Sequence, residues 1–183
     1  MKKIMMIAAM MVVTLSASAQ GMYLKPMVGG TLTTITGDYS DHAKFKVGLV
    51  AGAEFGYDFT ENMGITAGLL YTMQGAGVKD DGDNRNMDYL NIPVLFNYYI
   101  IPGLAVKAGV QPGFLMRAKA GDDDFKDSCK KLDLAIPLGL SYEFSDFVID
   151  ARYNLGLLNI NDNDNIKNHN SVIQLTLGYK IPF

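Results

Sequence analysis

A histidine and a serine are spaced for nucleophilic chemistry at His169-Asn170-Ser171. Hydrolysis by such a pair needs the base within hydrogen-bond reach of the hydroxyl and an acid to orient it. Residues i and i+2 of a strand share a face, so the geometry is available to an extended chain. No further motif accompanies the pair, and the other histidine, His42, falls in a different polar segment. Two acidic runs, Asp80-Asp81-Gly82-Asp83-Asn84 and Asn161-Asp162-Asn163-Asp164-Asn165, offer oxygen ligands of the kind calcium takes. Neither has the full loop spacing with its distal bidentate glutamate, and solvated turns are the reading adopted. Cys129 is the only cysteine, which excludes an internal disulfide. No catalytic residue, metal ligand or cofactor is therefore assigned.

The remaining charged residues follow a different logic. Lys46, Glu54, Asp58, Lys107, Arg117, Asp133, Glu143, Asp150, Arg152 and Lys180 occupy alternate positions of extended segments, in phase with glycines such as Gly48, Gly52, Gly139 and Gly178. The opposite phase is bulky and apolar, as in Leu132, Leu134, Ile136, Leu138, Leu140, Tyr142 and Phe144. A period of two marks a strand with unlike faces. Eight such strands are expected, at residues 22–33, 44–58, 63–78, 87–100, 104–119, 131–144, 147–160 and 171–183. The connections alternate between tight turns (residues 59–62, 101–103, 145–146) and longer polar loops (34–43, 79–86, 120–130, 161–170). Pro93, Pro112 and Pro137 lie inside strands although proline cannot donate to a ladder, so bulges or short kinks are expected there.

Side-chain volume decides which face points where. An eight-stranded barrel is only just wide enough for side chains to fill. The bulky apolar face therefore belongs outside, against lipid, and the glycine-rich charged face inside. Buried charges must be paired. These ten charges, nearly balanced in sign, are thus expected to form a cross-linked network that plugs the lumen. An ion-selective channel would instead favour one sign of charge around a constriction. Tyr57, Tyr98, Tyr142, Phe144, Phe147, Tyr179 and Phe183 lie near the short turns or the C-terminus, the pattern of an aromatic girdle at one membrane interface.

The ends and the overall charge agree with this reading. Lys2 and Lys3, the apolar run 4–15 and Ser16-Ala17-Ser18-Ala19 compose a secretory signal peptide over 1–19, leaving a single barrel domain over 20–183. Past it, no apolar run is long enough for a spanning helix. A β-barrel is the other structure that satisfies its own backbone in lipid. The net charge of -3 argues against nucleic acid as a partner.

Several segments resemble the PorT-type family of small outer-membrane β-barrels of Gram-negative bacteria. They are Tyr89-Leu90-Asn91-Ile92-Pro93-Val94-Leu95, Gly109-Val110-Gln111-Pro112-Gly113, Ala151-Arg152-Tyr153-Asn154-Leu155-Gly156-Leu157 and Gln174-Leu175-Thr176-Leu177-Gly178-Tyr179-Lys180. The resemblance implies an all-β, antiparallel, up-and-down transmembrane barrel in the bacterial outer membrane. The expected role is structural or interaction-based and non-enzymatic. The expected partners are outer-membrane lipids and lipopolysaccharide, the barrel-assembly machinery during insertion, and other envelope proteins. The terminal phenylalanine looks like the signal that such machinery reads. The alternatives are a lipid-modifying hydrolase using His169 and Ser171, a narrow channel, and a soluble ligand-binding barrel, whose apolar face would point inward.

Overall fold

Alternation of burial along each strand builds the molecule. In Phe147–Gly156 every second residue is buried and its neighbours are exposed, and Asn168–Tyr179 behaves alike over most of its length. The computed structural model describes residues 21–37, 43–78, 85–120, 123–124, 130–159 and 168–183. The signal peptide, His42, Cys129 and both acidic runs fall outside these residues.

Eight barrel strands run in sequence order, each antiparallel to the next. They are Met22–Gly37, Lys46–Asp58 (preceded by the two-residue piece Ala43–Lys44), Met63–Val78, the broken strand Arg85–Asn91 and Val94–Ile101, Leu104–Ala120, Leu132–Phe144, Phe147–Gly156, and Asn168–Tyr179 continued by Ile181–Pro182. The eighth closes on the first through a ladder from Met27↔Gly178 to Gly37↔Asn168. Closure gives each of the eight strands a neighbour on both sides, the condition for lying in lipid. No helix among the described residues is long and apolar enough to cross a membrane. The short turns lie at one end, where Gly103 and Ser145 take positive φ values of 84° and 52°.

Several irregularities depart from a plain barrel, and they do not all fall at the prolines. Pro93 does break the fourth strand, yet its carbonyl still accepts from Gly68 N at 2.9 Å. The fifth and sixth strands run unbroken through Pro112 and Pro137. Near Pro137 the fifth–sixth ladder passes from Ala108↔Leu138 directly to Gln111↔Ala135. A bulge lies elsewhere, where Asp88 pairs with Arg117 but Tyr89 pairs with Leu115. The extra residue reverses the phase of the fifth strand beyond Met116.

A further irregularity separates the outer ends of the second and third strands. Their ladder runs only from Asp58↔Gly64 to Val50↔Thr72, and pairing resumes one register later at Lys44↔Gly77. Side chains engage the carbonyls between. Thr31 Oγ1 donates to Met73 O at 2.9 Å, Thr33 Oγ1 to Gly75 O at 2.7 Å, and Lys46 Nζ to Gln74 O at 2.7 Å. Gly48 permits the first of these bonds, because a Cβ there would stand 2.1 Å from Met73 O.

Candidate functional site

The interior is layered along the barrel axis. At the level of the short turns, Lys180 Nζ contacts Asp58 Oδ2 and Glu143 Oε2, each at 3.1 Å. The Tyr99 hydroxyl donates to Glu143 Oε1 at 2.9 Å, and Lys180 lies 4.2 Å from the centroid of the Tyr23 ring. This layer has one cation and two anions.

The middle layer is a buried cluster of five charges from four strands. Lys25 of the first strand contacts Glu54 of the second at 2.8 Å and Asp150 of the seventh at 3.8 Å. Lys107 of the fifth reaches Asp150 Oδ2 at 2.6 Å. Arg152 donates through Nε and Nη2 to the two Asp150 oxygens at 2.6 and 2.8 Å, and its Nη1 lies 2.5 Å from Glu54 Oε1. Glu54 and Asp150 have no solvent exposure. Because the first and fifth strands face each other across an eight-stranded barrel, these contacts bridge the lumen. Charge-assisted bonds of this kind are short and directional.

Above it lies a layer of amides. Asn170 Nδ2 donates to Asp133 Oδ2 at 2.8 Å, and Asn91 Nδ2 to Thr72 Oγ1 at 2.9 Å. Gln111 and Asn154 join them around a cavity of about 10 Å³, room for about one water molecule. Apolar side chains also enter the interior, with Val50, Leu70, Met87, Tyr89, Leu95 and Val148 among the most deeply buried. The lumen is therefore mixed in character, with charge concentrated in two layers.

Of the ten charges expected to share the interior, Glu54, Lys107, Asp150 and Arg152 meet in the middle layer. Asp58, Glu143 and Lys180 meet at the inner end, and Asp133 joins the amide layer. Lys46 stands at the outer end, engaged with the third strand. Arg117 does not face the lumen. The bulge after Leu115 puts it on the outward face with Asp88, across from Met73, and it is exposed. Lys25, Tyr23 and Tyr99 complete the network without having been singled out. Their alternation was available in the sequence, since Tyr23, Lys25 and Met27 keep one phase and Leu24, Pro26 and Val28 the other. The apolar neighbours in both phases hid it.

Outside, Tyr57, Tyr98, Tyr142, Phe144, Phe147 and Tyr179 are exposed near the short turns, and Phe183 is half-buried, stacked on Phe55 with centroids 6.4 Å apart. Phe59 and Phe96 extend this set. A sparser group, Phe45, Tyr71, Phe114 and Tyr153, lies further from those turns. His169 and Ser171 also point outward, but to separate partners. His169 Nδ1 lies 3.1 Å from Leu158 O, while Ser171 Oγ lies 2.9 Å from the Tyr153 hydroxyl.

A closed barrel with an apolar exterior and ion-paired interior is a transmembrane barrel of the bacterial outer membrane. Residues 16–162 match the family model described as the outer membrane protein beta-barrel domain, and the chain belongs to that family. No curated protein matches the sequence. Among solved structures it is similar to Neisserial surface protein A, at 15% identity and a TM-score of 0.59, covering 91% of this chain and 99% of that one. It is similar also to Ail, the attachment invasion locus protein of Yersinia pestis, at 18% identity and a TM-score of 0.56, covering 88% and 99%. OprG of Pseudomonas aeruginosa aligns at 16% identity and a TM-score of 0.50, covering 90% and 98%. At these identities the likeness is one of fold.

Proposed function

We propose that this protein is a non-enzymatic outer-membrane anchor whose lumen is closed to solutes and which acts through its outer loops or through contacts with other envelope proteins. The observation that carries the reading is the five-charge cluster of Lys25, Glu54, Lys107, Asp150 and Arg152. Its members come from four strands, and short ion pairs tie them across the lumen. The amide layer above leaves room for about one water, which supports the same reading. Catalysis at His169 and Ser171 lacks the bond between base and nucleophile that it requires. No cofactor enters the proposal.

Within the same reading the chain is a PorT-type member of its family. It is exported with a signal peptide removed after Ala19, inserted by the barrel-assembly machinery and surrounded by lipopolysaccharide. Purified protein in planar bilayers tests the central claim. The expected result is no steady large conductance, and sustained large currents would overturn it. Intact mass of the protein from outer membranes checks the processing, with Gln20 expected as the first residue.

A further inference from the structure

The outer ends of the second to fifth strands enclose an open cleft of about 410 Å³ that the interior network does not use. Lys46, Asp88 and Arg117 line it together with Val47, Leu49 and Met73. Two irregularities of the barrel create it. The bulge at Met116 turns Arg117 out of the lumen, and the lapse in the second–third ladder opens the space that Lys46 lines from the other side. Asp88 also lies on the outward face but is only 4% exposed, and its Oδ2 accepts the Tyr71 hydroxyl at 2.8 Å. The charges the cleft presents are therefore mainly cationic. Lys119, two residues beyond Arg117, shares its face. The floor is greasy: Val47 is 74% exposed and Leu49 62%.

Depth determines what such a cleft meets. At ~3.3 Å per residue and a tilt of about 40°, the run from Leu104 to Arg117 climbs about 33 Å. That passes the ~25 Å apolar band and reaches the outer headgroups. An arginine offers a fork that fits phosphate oxygens bidentately, and a lysine adds a point charge.

We infer that this cleft binds a phosphate of the outer leaflet's lipid A, with Arg117 as the principal donor, Lys46 and Lys119 as flanking cations, and an acyl chain along Val47, Leu49 and Met73. The site gives the lipopolysaccharide contact proposed above a location, and so rests on that reading. Protein in detergent, titrated with bisphosphorylated lipid A and monitored by native mass spectrometry, tests it. The wild type is expected to retain one lipid A. Arg117→Gln should weaken retention by about tenfold or more, and Lys119→Gln to a smaller extent. Both positions face outward, and an unchanged heat-modifiable gel shift verifies folding. Wild-type protein that retains no lipid A would overturn the lipid contact itself. Retention by Arg117→Gln equal to wild type would overturn this site alone. Equal retention of dephosphorylated lipid A, or displacement of lipid A by sucrose octasulfate but not by added lipid, would overturn the phosphate assignment or the choice of a lipid respectively.

Discussion

Replacing Asp150 with asparagine tests whether the middle of the barrel is dry. The buried cluster holds three cations, Lys25, Lys107 and Arg152, against two anions, Glu54 and Asp150. The substitution raises its formal excess from one positive charge to two. It also replaces one of the two oxygens that accept from Lys107 and Arg152 at 2.6–2.8 Å with an amide donor. Removing one partner of a buried pair costs about 3–5 kcal/mol. Lys107→Met acts in the opposite sense, since it leaves two cations facing two anions and places an apolar side chain of similar length in the space. Its cost should stay below about 2 kcal/mol. Reversible urea unfolding of the detergent-folded protein, followed by tryptophan-free far-UV dichroism and by gel shift, measures both. Asp150→Asn should shift the midpoint far more than Lys107→Met. If both cost under about 1 kcal/mol, the charges behave as exposed pairs do, the lumen is wet, and the reasoning fails.

Two glycine comparisons probe the backbone. Gly48→Ala should destabilise the barrel by about 1–3 kcal/mol, because the new Cβ would meet Met73 O at 2.1 Å and Thr31 Oγ1 at 2.7 Å. Gly30→Ala should be neutral or mildly stabilising, as a Cβ there would come no nearer than 3.8 Å to Gly48 O, and equal unfolding midpoints for the two variants would contradict the close approach of Met73 O to Gly48. At the sixth–seventh hairpin, Ser145→Gly should stabilise by up to about 1 kcal/mol, since Ser145 holds φ at 52°; a lower midpoint would count against the turn geometry.

Strand phase was legible because bulk and charge separate cleanly over most of the chain. Leu132–Phe144 and Phe147–Gly156 declare their faces residue by residue, and the ion-pair partners Asp150 and Arg152 follow from that phase alone. Arg117 was misplaced for a local reason. One inserted residue at Met116 reverses everything beyond it, and nothing in Phe114-Leu115-Met116-Arg117 distinguishes a bulge from regular alternation. Lys25 was missed because Tyr23 and Met27, inward beside it, are as apolar as the outward Leu24 and Val28. Pro93 marked a real break, whereas the strands run unbroken through Pro112 and Pro137. Depth and pairing across the barrel, which join Lys25 to Asp150, depend on closure and have no signature in any short segment.

The membership of the middle cluster also bears on how the chain assembles. Its residues come from the first, second, fifth and seventh strands, so no single hairpin contains the complete set. A hairpin placed alone in lipid would carry Lys107 without its partner Asp150, at a cost that grows toward the bilayer centre. The seam that brings Lys25 to Asp150 joins residues nearly the whole sequence apart, as in Met27↔Gly178. Such non-local pairing is entropically expensive until it is rewarded. The contacts of Asp150 with Lys25 and of Arg152 with Glu54 form only when the first two strands meet the seventh. Partly built barrels are thereby the species that the energetics disfavour.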